Sequence, residues 1–457
     1  MIKITIPNNN IAERQYIIDV IFNEFLGVDY KLEIRNTIKG NWEIELKNGR
    51  KLIIEDHFFN KHISDLEYLK LENIPQKIEY TKNEFTPENN IPIIFGNTTL
   101  NFQDSILTCG IDIFASSFFM LTRWEEYVNK TRDIHDRFPA TASLAYKNGF
   151  LDRPIVNEYV EMLWNMLKYL GCNFKRKDGI FELMITHDVD NIFSFINKPF
   201  FNKIKNIGAD IILRKDFNAA FNKFISFFYN DIYKKAKYDN FFTFEYIMNQ
   251  SDKRNIKSNF YFIPKGSFEQ KFKYDISKKF IIDLIKSILL RGHNVGIHGS
   301  YETYNDKEKF IADLNYFNKI LEFNDIKYQI KGGRQHYLRF KIPETFYNYE
   351  DASLEYDATL SYADIAGFRC GTCYKFSPFD FLRRKKLNIK EIPLIVMDGT
   401  INNPQYMGLG YNEQGLRYIK NLKDKCRKYN GIFCLLWHNS ELKNKKEKEF
   451  YENVLDC

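Results

Sequence analysis

Two carboxylates stand two positions apart at the end of an apolar run in the middle of the chain. The run FELMITH leads into Asp188, Val189 and Asp190. Side chains two residues apart point to the same face of a strand, so both carboxylates would project from its end together. One member of such a pair can bind a metal ion while the other takes up a proton, although solvated loop carboxylates show the same spacing. The pair therefore predicts a catalytic site only if other polar groups converge on it.

Four of the eight histidines also follow apolar runs or glycine-rich turns in this part of the chain. His187 precedes the first carboxylate, and His298 ends the run NVGIHGS. His336 lies in the segment GRQHYLR, and His438 ends the run GIFCLLWHN. An imidazole at a strand end is either a structural histidine or a metal ligand or proton carrier. The common placement of the four favours a shared site.

The segment from Gly333 to Arg339 brings two guanidinium groups close to one of these imidazoles. An exposed charged surface would explain the arginines, but it would not explain why His336 alternates with Tyr337 and Phe340. We therefore include this segment in the candidate site.

The runs that carry these residues alternate with helical patterns. The short apolar runs are FELMITHDVD, SNFYFIP, NVGIHGS, IPLIVMDGT and GIFCLLWHN. Between Asp306 and Phe323 apolar residues recur at i, i+4 and i+7, which predicts a helix with one face on a core. This alternation is typical of an α/β fold with a parallel sheet or barrel, in which the site forms where the strands end.

A segment rich in Phe, Lys and Asn follows the first run, at about residues 191–240. Its pattern predicts an insertion with one or two amphipathic helices. Ordinary packing is a commoner role for a phenylalanine stripe than a membrane or substrate surface, so we expect the stripe to be buried.

Residues 1–175 have a different pattern, which predicts an α+β domain. The stretch EIELKNGRKLIIE alternates around Asn48-Gly49, as in a β-hairpin. Helical spacing follows from Ile113 to Leu121 and, after Pro154, from Val156 to Leu167. The short polar segment from Gly171 to Gly179 predicts a boundary, with the α/β domain at residues 176–457.

Composition narrows the class of protein. A chain of 457 residues with 44% apolar residues is long enough for more than one domain. Its net charge of +7 is scattered and no nucleic-acid motif accompanies it, so a nucleic-acid partner is not expected. We see neither a signal-peptide pattern nor an apolar run of the ~18 to 20 residues that a membrane span needs, so we expect a cytoplasmic protein.

The seven cysteines do not form a recognisable pattern of pairs. An odd number spread over a long chain argues for reduced thiols. Cys370 and Cys373 form a lone C-x-x-C without a second pair at zinc-site spacing, so we expect no metal or redox role for them.

In order and type, the motifs resemble those of the polysaccharide deacetylases, the carbohydrate esterase and amidase group that shares the chitooligosaccharide deacetylase (NodB) homology domain. The resemblance covers about residues 181–440 and rests on the ordered set THDVD, His298, RQHY and LWH. It implies a distorted (β/α) barrel and a metal-dependent hydrolase. For Asp188 it implies the role of general base, held by Arg334, and for Asp190 and His298 the role of metal ligands.

The same resemblance implies roles for three further residues. Tyr337 is similar to the position whose backbone N–H contacts the oxyanion. His438 matches the histidine that protonates the leaving group, and Asp398 stands where the family has a residue that orients this histidine.

One position departs from the family pattern. The family has a second histidine four residues after the first, whereas this chain has Glu302 there. Either Glu302 or His336 would complete a three-ligand site. Zinc is the expected metal, and Co, Ni, Mn or Fe(II) also suit such a mixed nitrogen and oxygen donor set.

The upstream region resembles a second, uncharacterised domain. The stretches FASSFFMLTRWEEYVNKTRDIHDRFPA and LDRPIVNEYVEMLW are similar to a domain that precedes such deacetylases in bacterial surface-polysaccharide contexts. The resemblance implies no specific role for this domain.

The resemblance implies hydrolysis of an N-acyl group, most simply N-acetyl, on an amino sugar or polysaccharide precursor of lipopolysaccharide or capsule metabolism. A decayed deacetylase fold that binds carbohydrate or acts as a scaffold is one alternative. An enzyme that handles a formyl group on a sugar precursor is another, and a metal-free cyclic amide hydrolase is a third. Trp437, Tyr337 and Tyr362 are candidates for a sugar platform, although core packing is the commoner role of such residues. The sequence does not indicate an oligomeric state.

Overall fold

The computed structural model describes residues 1–196, 200–213, 215–229, 231–265 and 274–457. Contacts divide these residues into two compact units. The first unit comprises Met1–Glu182, Phe340–Ile395 and Leu422–Phe433. The second comprises Leu183–Arg339, Val396–Asn421 and Cys434–Cys457. Each unit thus combines several separate stretches of chain.

The N-terminal stretch contains eight strands and five α-helices, together with a π-helix at Asp19–Leu26. In chain order they are β1 (Ile2–Ile6), α1 (Ile11–Ile18), β2 (Tyr30–Ile34), β3 (Trp42–Glu45), β4 (Lys51–Ile54), β5 (Glu79–Thr81), β6 (Ile91–Ile93), β7 (Gly96–Gln103), β8 (Ile106–Ile111), α2 (Ile113–Thr122), α3 (Trp124–Val128), α4 (Leu144–Lys147) and α5 (Ile155–Tyr169).

A six-stranded mixed sheet forms the centre of the first unit, in the order β2-β1-β3-β4-β8-β7. The predicted hairpin is confirmed as the antiparallel pair β3–β4, with Glu45 opposite Lys51. Its turn requires Gly49, whose φ of 80° lies in the left-handed region that side chains disfavour. Both predicted helices are present as α2, capped by the Asp112 side chain, and α5. The α+β prediction for this region is confirmed.

The remaining chain continues the numbering. Its elements are β9 (Glu182–Val189), α6 (Phe200–Ile212), α7 (Phe217–Ser226), α8 (Ile232–Ala236), α9 (Phe244–Lys253), β10 (Ser258–Phe262), α10 (Lys279–Leu290), β11 (Asn294–Gly299), α11 (Lys307–Phe323), β12 (Gly332–Gln335), α12 (Glu344–Asp351), β13 (Tyr356–Asp357), β14 (Phe379–Asp380), β15 (Lys385–Lys386), β16 (Lys390–Glu391), β17 (Leu394–Met397), α13 (Asp398–Asn402), α14 (Glu413–Lys428), β18 (Ile432–Leu436) and α15 (Lys445–Asp456).

In the second unit, strands lie side by side in the order β12-β11-β10-β9, and the part of β18 from Cys434 onward lies next to β9. The pairs β9–β10, β10–β11 and β11–β12 are parallel, and helices separate these strands along the chain. Each of the five apolar runs forms a strand, and α11 buries the predicted face. The predicted (β/α) class is therefore confirmed. Because the strands are parallel, their carboxyl ends lie along one edge.

The insertion after β9 contains α6, α7 and α8. The expectation that its phenylalanine stripe is buried is wrong, because Phe201, Phe217 and Phe221 are largely exposed. The side where α6 meets α7 is instead occupied by a buried ion pair between Asp210 and Lys223, 2.6 Å apart. Among the described residues, no helix combines the length and apolar character that a bilayer span requires.

Candidate functional site

The carboxyl ends of β9, β11 and β12 supply the central residues of the site. Asp188 is the penultimate residue of β9, and Asp190 directly follows the strand. His298 on β11 is in register with Arg334 on β12. The short 3₁₀ turn after β12 begins at His336. Strand order and register thus bring together residues that are far apart in sequence.

Three of these residues form a group with the donor atoms of a metal site. One ligand atom each from Asp190, His298 and His336 lies within 4.8 Å of the others, and we call these residues the triad. The Nε2 atoms of both histidines are 3.3 Å from Asp190 Oδ1. That oxygen is buried and has no hydrogen-bond partner among the described residues.

The donor set of the triad fits a divalent metal ion. The Nδ1–H group of His298 donates to the Arg334 carbonyl oxygen at 2.9 Å, which leaves Nε2 as the ligand atom. Burial alone would raise the pKa of Asp190, but the charge of His336 and the closeness of both imidazoles hold it well below its usual range. The carboxylate is therefore ionised, as metal binding requires. Two imidazoles and one carboxylate suit zinc and other first-row divalent ions.

Asp188 is buried beside the triad and is held by an arginine. Arg334 Nη1 donates to Asp188 Oδ1 and to Thr186 Oγ1, each at 2.8 Å. Burial raises the pKa of Asp188, but the Arg334 charge outweighs it, so the pKa lies below the usual value. Asp188 Oδ2 is 3.7 Å from His298 Nε2. An ionised, fixed carboxylate in this position can accept a proton from a bound water.

His438 and Asp398 form a second polar pair near the triad. Both the backbone N–H and the Nδ1–H of His438 donate to the Asp398 carboxylate, at 2.6 and 2.8 Å. Although burial lowers the pKa of His438, the Asp398 charge raises it to about 10. The imidazole is therefore protonated at neutral pH, and Nε2 lies 3.8 Å from Asp190 Oδ2. This arrangement can deliver a proton to a leaving group.

Tyr337 follows the triad residue His336 in a strained backbone conformation. Its φ of 61° lies in the left-handed region, and its side chain is 39% exposed. Its ring contacts the rings of His336 and Tyr301, with centroids 4.6 and 5.6 Å away. Arg339 supports this turn by stacking on Tyr301 and by donating to the Tyr301 carbonyl oxygen.

Other residues that the sequence suggested lie elsewhere. Glu302 is exposed and pairs with Lys309 at 2.9 Å, so the structure does not bring it into the triad. Trp437 and Tyr362 are buried, each within its own unit, whereas Tyr337 remains accessible. His187 is buried and donates to the Trp437 carbonyl oxygen. It has a packing role in the core.

Two residues that support the site did not emerge from the sequence. Thr186 bridges Arg334 and the Leu435 carbonyl oxygen, and its hydroxyl could have been noticed in the THDVD motif. Tyr274 donates to the Val189 carbonyl oxygen at 2.8 Å and accepts from the Ile263 N–H, so it fixes the end of β9. No local pattern points to Tyr274, because its partners are distant in sequence.

A family model matches the N-terminal region of the chain. Residues 2–171 match the model of a family of unknown function, DUF7033, which confirms the predicted uncharacterised N-terminal region. No curated protein matches the chain.

Three solved structures are similar to the chain at low identity. A presumed polysaccharide deacetylase from Mycobacterium smegmatis is 13% identical with a TM-score of 0.39. The Puue allantoinase is 10% identical with a TM-score of 0.38, and a probable polysaccharide deacetylase from Pseudomonas aeruginosa PAO1 is 12% identical with a TM-score of 0.37. Each similarity covers 61% of this chain and 84% of the other.

Proposed function

We propose that this chain is a metal-dependent amide hydrolase that removes an N-acyl group, most simply N-acetyl, from an amino sugar of surface-polysaccharide metabolism. The observation that carries the proposal is that three groups meet at one sheet edge: the triad, the carboxylate of Asp188 held by Arg334, and the imidazole of His438 held by Asp398. The sugar and the polymer context rest on the resemblance of the motifs to those of the polysaccharide deacetylases.

Each of these residues has a separate role in the proposed amide hydrolysis. Asp190, His298 and His336 would hold a divalent ion, which would supply Lewis acidity toward a water molecule and the acyl carbonyl. Asp188 takes the proton of the attacking water while Arg334 keeps the carboxylate in place. His438 donates its Nε2 proton to the amine as the carbon–nitrogen bond breaks, and Asp398 stabilises the imidazolium. The products are a free amino sugar and a carboxylic acid. The backbone N–H of Tyr337 is the proposed oxyanion donor, a contribution of about 3 to 4 kcal/mol in other hydrolases.

Two variants with different expected metal contents test the proposal. Asp188→Asn should abolish turnover of N-acylated sugar precursors and leave the metal content near that of the unmodified protein. Asp190→Ala should abolish both turnover and metal binding, because it removes a ligand. Elemental analysis of stripped and zinc-reloaded protein, with assays on a panel of N-acylated sugars, gives both readouts. Full activity of Asp188→Asn would disprove the assignment of the base, and a metal-free protein that binds sugar without turnover would favour a scaffold.

The third ligand can be tested with a matched pair of variants. His336→Ala should lower the metal content strongly, whereas Glu302→Ala should leave it unchanged, because Glu302 pairs with Lys309 outside the triad. The reverse result would make Glu302 the third ligand.

A further inference from the structure

Helices α6 and α7 expose an unusual number of large apolar side chains, and we call residues 200–228 the insertion hairpin. Within these 29 positions, each of the following is at least 44% exposed: Phe200, Phe201, Ile204, Ile211, Ile212, Leu213, Phe217, Phe221, Phe224 and Phe228. Scattered exposed apolar residues are normal in proteins, but a concentrated patch marks an interaction surface.

The exposed residues of each helix lie on one face. At 100° per residue, the exposed apolar positions of α6 fall within an arc of about 120°. Those of α7, from Phe217 to Phe224, fall within an arc of about 60°. A ring contact joins the two ends of the hairpin, since the ring centroid of Phe200, at the start of α6, lies 6.0 Å from that of Phe227, directly after α7. The buried Asp210–Lys223 pair is on the opposite side, where the helices meet. The hairpin therefore presents a continuous apolar surface.

Basic residues flank this surface. Residues 200–237, which comprise the hairpin and the helix α8 after it, contain eight lysines and arginines against three aspartates and no glutamate, a net charge of +5. Lys203 and Lys205 lie just beyond the two edges of the α6 arc, and Lys215 is exposed between the helices. One of the three aspartates, Asp210, is buried in its pair with Lys223. An apolar face bordered by lysines is complementary to an anionic membrane surface.

A second copy of the chain fits this surface less well. A twofold contact would place identical basic borders against each other, and like charges at an interface are unfavourable. An anionic bilayer instead accepts the phenylalanines below its headgroups and attracts the lysines at the same time.

We propose that the insertion hairpin docks the protein onto the interface of an anionic lipid bilayer, without spanning it. The hairpin follows β9 at the end that carries Asp190, so docking would keep the candidate site close to molecules held at the membrane surface. The proposal does not depend on the proposed enzymatic function.

Co-sedimentation of the full chain with vesicles tests the docking. The protein should bind vesicles that contain phosphatidylglycerol more strongly than vesicles of phosphatidylcholine alone, and added salt should weaken the binding. The variant Phe201→Asn/Phe217→Asn/Phe221→Asn should bind at least about tenfold more weakly, because three interfacial anchors are lost. These side chains are already exposed, so folding should be preserved. A circular dichroism melt of the variant checks this.

A matched control separates this surface from apolar exposure in general. Leu290 and Phe323 are 87% and 88% exposed in the same unit but lie outside the hairpin, so Leu290→Asn/Phe323→Asn should bind vesicles like the unmodified protein. The proposal is overturned if the unmodified protein binds neither vesicle type, or if both variants lose binding equally. A lipid-free dimer in sedimentation equilibrium that only the hairpin variant dissociates would also overturn it, in favour of a second copy. None of these measurements uses turnover, so they are independent of the hydrolase assays.

Discussion

Single buried charges set the chemistry of the candidate site. Arg334 and Asp188 are both removed from solvent, so neither is stable there without the other. Removal of one partner of such a pair typically costs about 3 to 5 kcal/mol. Arg334 Nη1 donates to both Asp188 and Thr186, and Nη2 lies 3.8 Å from Cys434 Sγ. The planar shape of arginine suits this arrangement, and a lysine could not reproduce it.

Asp313 provides a prediction about pH and stability. This residue of α11 is buried and accepts a hydrogen bond from Ser300 after β11, and burial raises its pKa from 3.8 to about 6. The folded state therefore holds this proton more tightly than the unfolded chain does. The resulting stabilisation is complete below the unfolded pKa and is lost as pH rises through 6. Relative to Asp313→Asn, the unmodified protein should lose about 2 to 3 kcal/mol of unfolding free energy between pH 4 and pH 7.

Urea denaturation of both proteins at the two pH values gives this difference. Asp325→Asn, at an exposed position two residues after the same helix, is the control. A difference between Asp313→Asn and the unmodified protein that does not change with pH would contradict the prediction.

Strands and their spacing determine where the site residues lie. The triad depends on β11 and β12 lying side by side in one register, with His298 opposite Arg334. Close approach of these strands is possible because β12 begins with two glycines. A Cβ atom at Gly333 would lie 1.8 Å from the Ile297 carbonyl oxygen on β11.

Gly333→Ala should therefore destabilise the protein by about 3 kcal/mol or more, because the backbone of β11 cannot yield as a flexible side chain does. Gly208→Ala in α6 is the matched control, since a Cβ there meets nothing within 4 Å and alanine favours a helix. Denaturant unfolding of both variants provides the comparison. Equal stability of the two variants would show that the strands are not packed as closely as described.

In the molecule as a whole, compact units do not coincide with continuous stretches of chain. The first unit combines the N-terminal 182 residues with two later segments. Within it, buried Glu126 pairs with Arg369 at 2.5 Å, Glu13 pairs with Arg384 at 2.8 Å, and the rings of Tyr16 and Phe379 lie 4.7 Å apart. A fragment that ends near residue 175 would leave Glu126 without this partner.

We therefore expect residues 1–175 alone to lack the cooperative unfolding transition that the first unit shows within the full chain. Thermal unfolding followed by near-ultraviolet circular dichroism distinguishes the two cases, because it reports on fixed aromatic packing. A sharp transition of the fragment at the temperature of the full chain would instead support the domain boundary predicted from the sequence.

The sequence by itself determined the local structure and the first residues of the site. Hydrophobic periodicity acts over a few residues, so it predicted the strands β9, β10, β11, β17 and β18 and the helix α11. The Asp188–Asp190 pair was also predicted from a short stretch of sequence, because its two side chains are only two positions apart. Only the tertiary structure decided that His336 rather than Glu302 joins the triad, and that the insertion phenylalanines are exposed. The triad depends on contacts between distant segments, such as Arg334 with Asp188, 146 positions apart, which are set by strand order and register rather than by local pattern. The exposure of the phenylalanines depends on how α6 and α7 pack against each other, which the pattern of one helix does not show.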